Sequence, residues 1–337
     1  MHGDDFVFEG EEYQLDAMEV ELRKHMLVQR KALLGPDPTD DKNATILNRL
    51  ISYVDGGYGV KSRITMEPDP RHAQILVHEL GLSGRGSKAV TSPTEKGASY
   101  YDDTPLQGVG ETTAYWSLCM RLGFLAQDAP HLQYVANKCC KHRAVPTIGG
   151  LAWLKRVARF LKGEPRCVQN FYEQHHEGKH IDVYCDSDWA GDVIDRKSVS
   201  SVFVFYGLHL LKSTVSTQGT TALSSGEAEF TAGVKGTSVA LGIKSLGADL
   251  GMELFPRMHT DSSAAKGIFG RRGIGRIRHL HTPLLWVQEK RAKKAQARSV
   301  LDGLGEAAAG EHRGSRAAAR ARRADPSDAM ARKQDSY

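Results

Sequence analysis

The chain of 337 residues carries 45 Lys and Arg against 40 Asp and Glu, a net charge of +5, but from Lys290 onward twelve basic residues meet six acidic ones, leaving residues 1–289 with 33 against 34, or −1. The excess therefore belongs to a tail, which excludes reading the body as a general polyanion binder from its charge. A hydrophobic share of 40% excludes disorder of the whole chain and, at ~150 residues per domain, predicts about two domains; with no run near ~18 apolar residues, a membrane partner is not expected either.

The start, Met1 to Glu12, is dense in Asp and Glu and unlike a secretory signal, so an intracellular protein, cytoplasmic or nuclear, is expected. Met1 to Phe8 reads as a turn and a strand with nothing before it to pair with, as in the middle of a domain. Leu15, Met18, Leu22 and Met26 recur at helical steps and predict a helix within Glu11 to Val28. Ile46 to Val54 and Val60 to Met66 read as strands around a turn at Asp55-Gly56-Gly57, and Ala73 to Leu80 as a helix closed by Gly81. Residues 83–110, rich in Gly, Ser, Thr and Pro, read as a linker. Helical periods return over Thr112 to Gln127, Leu132 to His142 and Leu151 to Leu161; the last leaves Lys155, Arg156, Arg159 and Lys162 off its apolar face, as a solvated or phosphate-contacting surface. The five cysteines are odd in number and lack CxxC spacing, so reduced thiols are expected.

From Asn170 the pattern changes to strands, Phe171 to Gln174, Ile181 to Asp186, Val199 to Tyr206 and Leu208 to Ser216. A helix from Ser225 to about Leu250, a short strand from Arg257 to Asp261 and a helix near Thr282 to Ala292 follow, which predicts an α/β module with a mixed sheet. Beyond residue 292 large apolar residues nearly vanish, and disorder is expected. His175, His176 and His180 fall in or beside a polar turn and are read as structural rather than as a transition-metal site.

Three acidic residues sit where chemistry would want them. Asp186 ends an apolar strand, Glu229 opens a helix after Ser224-Ser225, and Asp261 ends another strand. Carboxylates at neighbouring strand ends facing a helix start can converge and hold hard divalent cations through oxygen, as two-metal phosphodiester hydrolysis requires. Spacing alone leaves strand-end and capping roles open for each of them.

The flanking residues narrow the choice. Tyr184-Cys185-Asp186-Ser187-Asp188-Trp189-Ala190-Gly191, Asp195-Arg196-Lys197-Ser198-Val199-Ser200, Ala222-Leu223-Ser224-Ser225-Gly226-Glu227-Ala228-Glu229-Phe230, Thr260-Asp261-Ser262-Ser263-Ala264-Ala265 and Arg278-His279-Leu280 resemble, in order, the ribonuclease H domain of copia-type LTR retrotransposon Pol polyproteins. Upstream, His2-Gly3-Asp4-Asp5 resembles the aromatic-x-Asp-Asp turn of a reverse transcriptase palm, with His2 in place of the usual Tyr. Leu125 to Pro130, Ala144 to Thr147 and Leu154 to Gly163 resemble the segment joining polymerase to ribonuclease H.

The resemblance implies an α/β fold: a ribonuclease H-like mixed sheet with flanking helices, preceded by a partial palm and a helical connection. Its divisions would be a palm and thumb remnant (1–82), a linker (83–110), a helical connection (111–169), a ribonuclease H-like domain (170–292) and a basic tail (293–337). It implies that Asp186, Glu229 and Asp261 are catalytic metal ligands for Mg²⁺, or Mn²⁺, cleaving the RNA of an RNA:DNA hybrid, with the remainder of the Pol polyprotein as partner. Asp188 and Glu227 are read as supporting residues, and Arg271, Arg272, Arg276 and Arg278 as a basic loop for the hybrid's phosphates. The fourth family carboxylate would follow Leu280, where His281 stands, so a second ion should bind weakly. Asp4 and Asp5 are read as a polymerase relic, and DNA synthesis by this chain alone is not expected. The competing expectation is a degenerate, inactive copy that keeps nucleic-acid binding; His281, the missing palm and the glycines at 233, 236, 242 and 247 of the long helix motivate it.

Overall fold

The computed structural model describes residues 6–58, 60–174, 179–275 and 282–290. The chain divides into two units, residues 1–265 and 266–337. The first opens with α1 (Glu12–Arg23), whose start is closed by reciprocal contacts between Glu11 and Gln14 and which buries no residue. A four-stranded antiparallel sheet follows, in the order β1 (Asn43–Ile46), β2 (Arg49–Val54), β3 (Arg63–Pro68) and β4 (Gln169–Tyr172).

Two features of this sheet depart from the sequence reading. The run read as one strand from Ile46 is a hairpin, turning at Leu47 (φ 50°) and Asn48 (φ 60°). Both central residues are left-handed, as in a type I′ turn, but Leu stands where Asn or Gly normally signals one. The strand near Phe171 pairs with β3 and completes this sheet instead of joining the second one.

Helices α2 (Arg71–Glu79), α3 (Val109–Leu125), α4 (Gln133–Lys141) and α5 (Ile148–Gly163) enclose one core, in which Leu76, Tyr115, Leu122, Leu132, Val135, Leu154 and Val157 are fully buried. α5 starts where Thr147 Oγ1 accepts the Gly150 N–H at 3.1 Å. Two cations of α5 bind the chain itself. Lys162 Nζ donates to the carbonyls of Leu82 (2.9 Å), Gly84 (2.6 Å) and Ser87 (3.0 Å) and to Ser87 Oγ (2.9 Å). Arg156 donates to Ser92 O and pairs with Glu95 at 2.7 Å. These bonds satisfy backbone oxygens of the linker that no sheet or helix reaches. They correct the reading of this stretch as a solvated or phosphate-binding surface, leaving Lys155 as an exposed cation on it.

The second sheet runs β7 (His209–Thr217), β6 (Val199–Tyr206), β5 (His180–Asp188) and β8 (Phe255–His259), with β5–β6–β7 antiparallel and β8 parallel to β5. Its core-facing side, Ile181, Val183, Cys185, Val202 and Val204, clusters with Ala232 and Ala240 of α6 (Ser225–Asp249). α6 lies close to the sheet because Gly236 has no side chain; a Cβ there would collide with Cys185 Sγ. This is the mixed α/β module expected, compatible with a ribonuclease H-like fold. Helix α4 lies along β7: Gln133 donates to Ser213 Oγ (2.8 Å), and Asn137 Oδ1 accepts from Thr217 Oγ1 (2.9 Å).

In the second unit, α7 (Ser263–Gly270, which begins in the first) is followed by a 3₁₀ turn, Thr282–Leu285, and helical residues 286–290. Gln288 ties its helical turn to α7 and the residues after it, donating to Ile268 O (2.9 Å) and accepting from Gly273 N (2.8 Å). Among the described residues no helix is long and apolar enough to cross a membrane.

Candidate metal centre

Each of the three carboxylates is placed by a different piece of local chemistry. In β5 the alternation of buried Ile181, Val183 and Cys185 with outward residues leaves Asp186 exposed near the strand's end. Glu229 sits in the second turn of α6, whose start is fixed by a reciprocal cap: Ser224 Oγ accepts the Glu227 N–H (3.2 Å) and Glu227 Oε2 accepts the Leu223 N–H (2.8 Å). Asp261 follows β8 by two residues, and the chain after it approaches α6 closely, since a Cβ on Gly226 would lie 2.8 Å from Ala264 Cβ. The outcome is that one carboxylate oxygen from each of Asp186, Glu229 and Asp261 lies within 4.8 Å of the others.

The electrostatics of that convergence are unfavourable without a cation. Burial, then the neighbouring Asp186 and Asp261, push the Glu229 carboxyl up from its ordinary 4.5 to about 7, against the opposing hydrogen bond from the Ser187 N–H. Glu229 Oε1 accepts that N–H at 3.1 Å, whereas Oε2 is buried with no hydrogen-bond partner among the described residues. A buried oxygen lacking a donor, beside two further carboxylates, is a donor set that suits a hard, oxygen-preferring divalent cation such as Mg²⁺. Among the described residues no nitrogen or sulfur ligand belongs to the cluster.

No family model matches the chain, and no solved structure matches it. Over 170 residues, 50% of its length, it is 30% identical to the retrovirus-related Pol polyprotein from transposon RE1 of Arabidopsis thaliana. Over 144 residues, 43% of its length, it is 31% identical to the corresponding polyprotein from transposon RE2 of the same plant. The uncharacterized mitochondrial protein AtMg00810, also from Arabidopsis thaliana, is 30% identical over 116 residues, 34% of the chain. The chain is a relative of copia-type Pol polyproteins. It spans 48% of the mitochondrial protein and only 11% and 10% of the two polyproteins.

Other residues singled out in this Pol relative separate into distinct roles. Glu227 is the cap of α6, a role its Ser224-x-x-Glu227 spacing already signals. Asp188 stands outside the triad and accepts the Tyr134 hydroxyl at 3.1 Å, tying α4 to the end of β5. Four residues further, the loop after β5 holds an acidic residue that motif reasoning missed. Asp192 accepts the Ile194 N–H (3.0 Å) and pairs with Lys138 (3.5 Å) and Lys141 (2.7 Å) of α4. Its signal in the sequence is weak, an Asp two residues before an N–H it can cap. Of the basic loop, Arg271 donates to Ile274 O at 2.7 Å within the second unit, and Arg272 is exposed. Arg276, Arg278 and His281, the pair His175 and His176, and Asp4 and Asp5 lie outside the described residues, as does the tail from 293.

Proposed function

We propose that this chain carries the ribonuclease H site of a copia-type Pol polyprotein and hydrolyses the RNA strand of RNA:DNA hybrids, with 3′-hydroxyl and 5′-phosphate products. The observation that carries this reading is the convergence of Asp186 of β5, Glu229 of α6 and Asp261 of the segment after β8 onto one point. On this reading residues 170–292 correspond to the ribonuclease H-like domain, 111–169 to the connection and 1–82 to a palm and thumb remnant with Asp4 and Asp5 as its relic turn.

Asp186, Glu229 and Asp261 would hold divalent ions, Mg²⁺ by their all-oxygen chemistry, with Mn²⁺ as an alternative. Such ions, when bound, would supply Lewis acidity and make a bound water easier to deprotonate. The chain's own part is positional. The parallel pairing of β5 with β8 ends two residues before Asp186 and Asp261 and so brings their segments side by side, and Glu229 is placed by the cap of α6 and the Ser187 N–H. The hybrid would be read by shape and by its ribose 2′-hydroxyls, and Arg271, Arg272, Arg276 and Arg278 would meet its phosphates.

His281 favours a second reading, an inactive copy that still binds nucleic acid, because imidazole is a poor Mg²⁺ ligand and brings no negative charge to the fourth family position. A cleavage assay on an RNA:DNA hybrid in Mg²⁺ and in Mn²⁺ separates the two. Cleavage that disappears in Asp186→Asn supports the first reading, and cleavage surviving that substitution removes the site assignment. An inert parent that gains activity through His281→Asp establishes the second.

A further inference from the structure

Beneath the carboxylates three serines line up across the second sheet. Ser187 of β5 is the register partner of Ser200 in β6, and Ser200 of Ser216 in β7. This row lies one step beyond the Asp186↔Ser201 pair, against the start of α6. Hydroxyls there need partners: Lys235 donates to Ser216 Oγ, and the side chain that reaches Ser187 and Ser200 is Gln218, the first residue after β7 and only 6% exposed.

Gln218 Nε2 donates to Ser200 Oγ at 2.9 Å and to Ala228 O at 2.9 Å, and lies 3.5 Å from Ser187 Oγ. Its backbone N–H donates to Ser198 O at 2.8 Å, anchoring the residue to β6. A carbonyl such as Ala228 O only accepts, so the amide must present its nitrogen there and not its oxygen. Two good acceptors match the two N–H bonds of one planar nitrogen, which no Ser, Thr or carboxylate could supply. The acceptors belong to the two elements that matter: Ser200 pairs with the residue following Asp186, and Ala228 precedes Glu229. A closed ring results, from the Ser187 N–H to Glu229, through α6 to Ala228 O, through Gln218 to Ser200, and across the strand pair to Ser187.

We propose that Gln218 is the positioning residue that locks β5 to the start of α6 and so sets the spacing of the Asp186 and Glu229 carboxylates. The proposal rests on the reading of those carboxylates as metal ligands. Supports of this kind commonly change metal affinity 10- to 100-fold when removed, without touching the metal.

The test uses the full chain with Mn²⁺ as probe, its affinity measured by calorimetry and by electron paramagnetic resonance of free Mn²⁺. Gln218→Met keeps length and volume but has no donor. The expected result is an affinity about tenfold weaker with the melting temperature within about 5 °C of the parent. Ser200→Ala, which removes one acceptor, should lose about threefold. An affinity for Gln218→Met within twofold of the parent overturns the proposal. So does an equal loss in Leu254→Ala, a core truncation in α6's packing cluster but at the far end of that helix, because general loosening would then suffice. A second readout needs no metal: hydrogen exchange of the Ser187 amide should speed up in Gln218→Met and stay unchanged in Leu254→Ala. If Asp186→Asn leaves Mn²⁺ affinity intact, the metal-site reading fails, while the lock itself is still decided by the Ser187 amide: faster exchange keeps it, unchanged exchange ends it.

Discussion

Replacing Asp192 by Asn should destabilise the protein, for a reason that can be worked from its contacts. Asp192 is 6% exposed and Lys138 5% exposed, so the pair is held away from water. Burial pushes the Asp192 carboxyl up, but Lys141, the Ile194 N–H and Lys138 outweigh it and hold the group down at about 2, against its ordinary 3.8. At ~1.4 kcal/mol per pH unit this corresponds to about 2 kcal/mol of stability. Asn would also leave Lys138 buried without its counter-charge, and breaking a buried pair in this way costs about 3 kcal/mol or more. The sign of the pH dependence follows from the depressed folded-state value: the contribution is complete above pH ~4 and is lost as pH falls through about 2. Urea unfolding of parent and Asp192→Asn at pH 7 should therefore differ by about 3 kcal/mol, with the gap narrowing between pH ~4 and pH ~2. Adding Lys138→Met should restore much of the loss, since an apolar residue of similar volume removes the unpaired charge. A gap below about 0.5 kcal/mol at pH 7, or one that persists unchanged to pH 2, would refute the reasoning.

Glu229→Gln should stabilise the protein in chelator at pH 8 by about 1 kcal/mol after allowance for solvent screening, because it relieves a buried carboxylate facing two others. A melting temperature at or below the parent's would contradict this. Gly236→Ala should destabilise by about 1–3 kcal/mol, since its Cβ meets Cys185. Gly242→Ala, with nothing within 4 Å, should stabilise by up to about 1 kcal/mol, and the two are compared in one denaturation series. Lys162→Met should leave hybrid affinity unchanged and speed proteolytic nicking between Leu82 and Ser87, the carbonyls it now holds. A fall in hybrid affinity would return Lys162 to the phosphate-binding surface.

The second sheet was legible because its signals agree with one another. Alternation in Ile181 to Asp186, the Ser224-x-x-Glu227 cap and the long apolar run after it each point to strand or helix, and each is found within a residue or two. The first sheet was only partly legible. Leu47-Asn48 lacks the Gly that marks a tight hairpin, and a four-residue strand at Gln169–Tyr172 carries no information about which sheet it will join, since β3 is a hundred residues upstream. The carboxylate triad could be picked out because strand ends and a helix start are local features. Its supports could not: Gln218 acts through Ala228 and Ser200, 10 and 18 residues away, and Asp192 through Lys138, 54 residues away, which composition and period do not encode.

The same distinction bears on whether the Pol relative is a decayed copy. Glycines in a long helix look like damage when propensity alone is considered, because each forfeits up to about 1 kcal/mol relative to Ala. In α6 two of them are packing requirements. Gly236 lets the helix reach Cys185, and a Cβ on Gly247 would stand 2.5 Å from Leu254 Cδ1. A helix drifting without constraint has no reason to keep its smallest residues where the sheet comes closest. Of the glycines that motivated the inactive reading, Gly242 has open space around it, and it is a single tolerable position. With Gly236 and Gly247 explained by packing, the strongest mark against activity between residues 170 and 292 is His281, one side chain at one family position. If loss of function has occurred there, it should be reversible by one substitution. His281→Asp would then raise Mg²⁺-dependent cleavage more than Mn²⁺-dependent cleavage, because Mn²⁺ tolerates an imidazole ligand better than Mg²⁺ does.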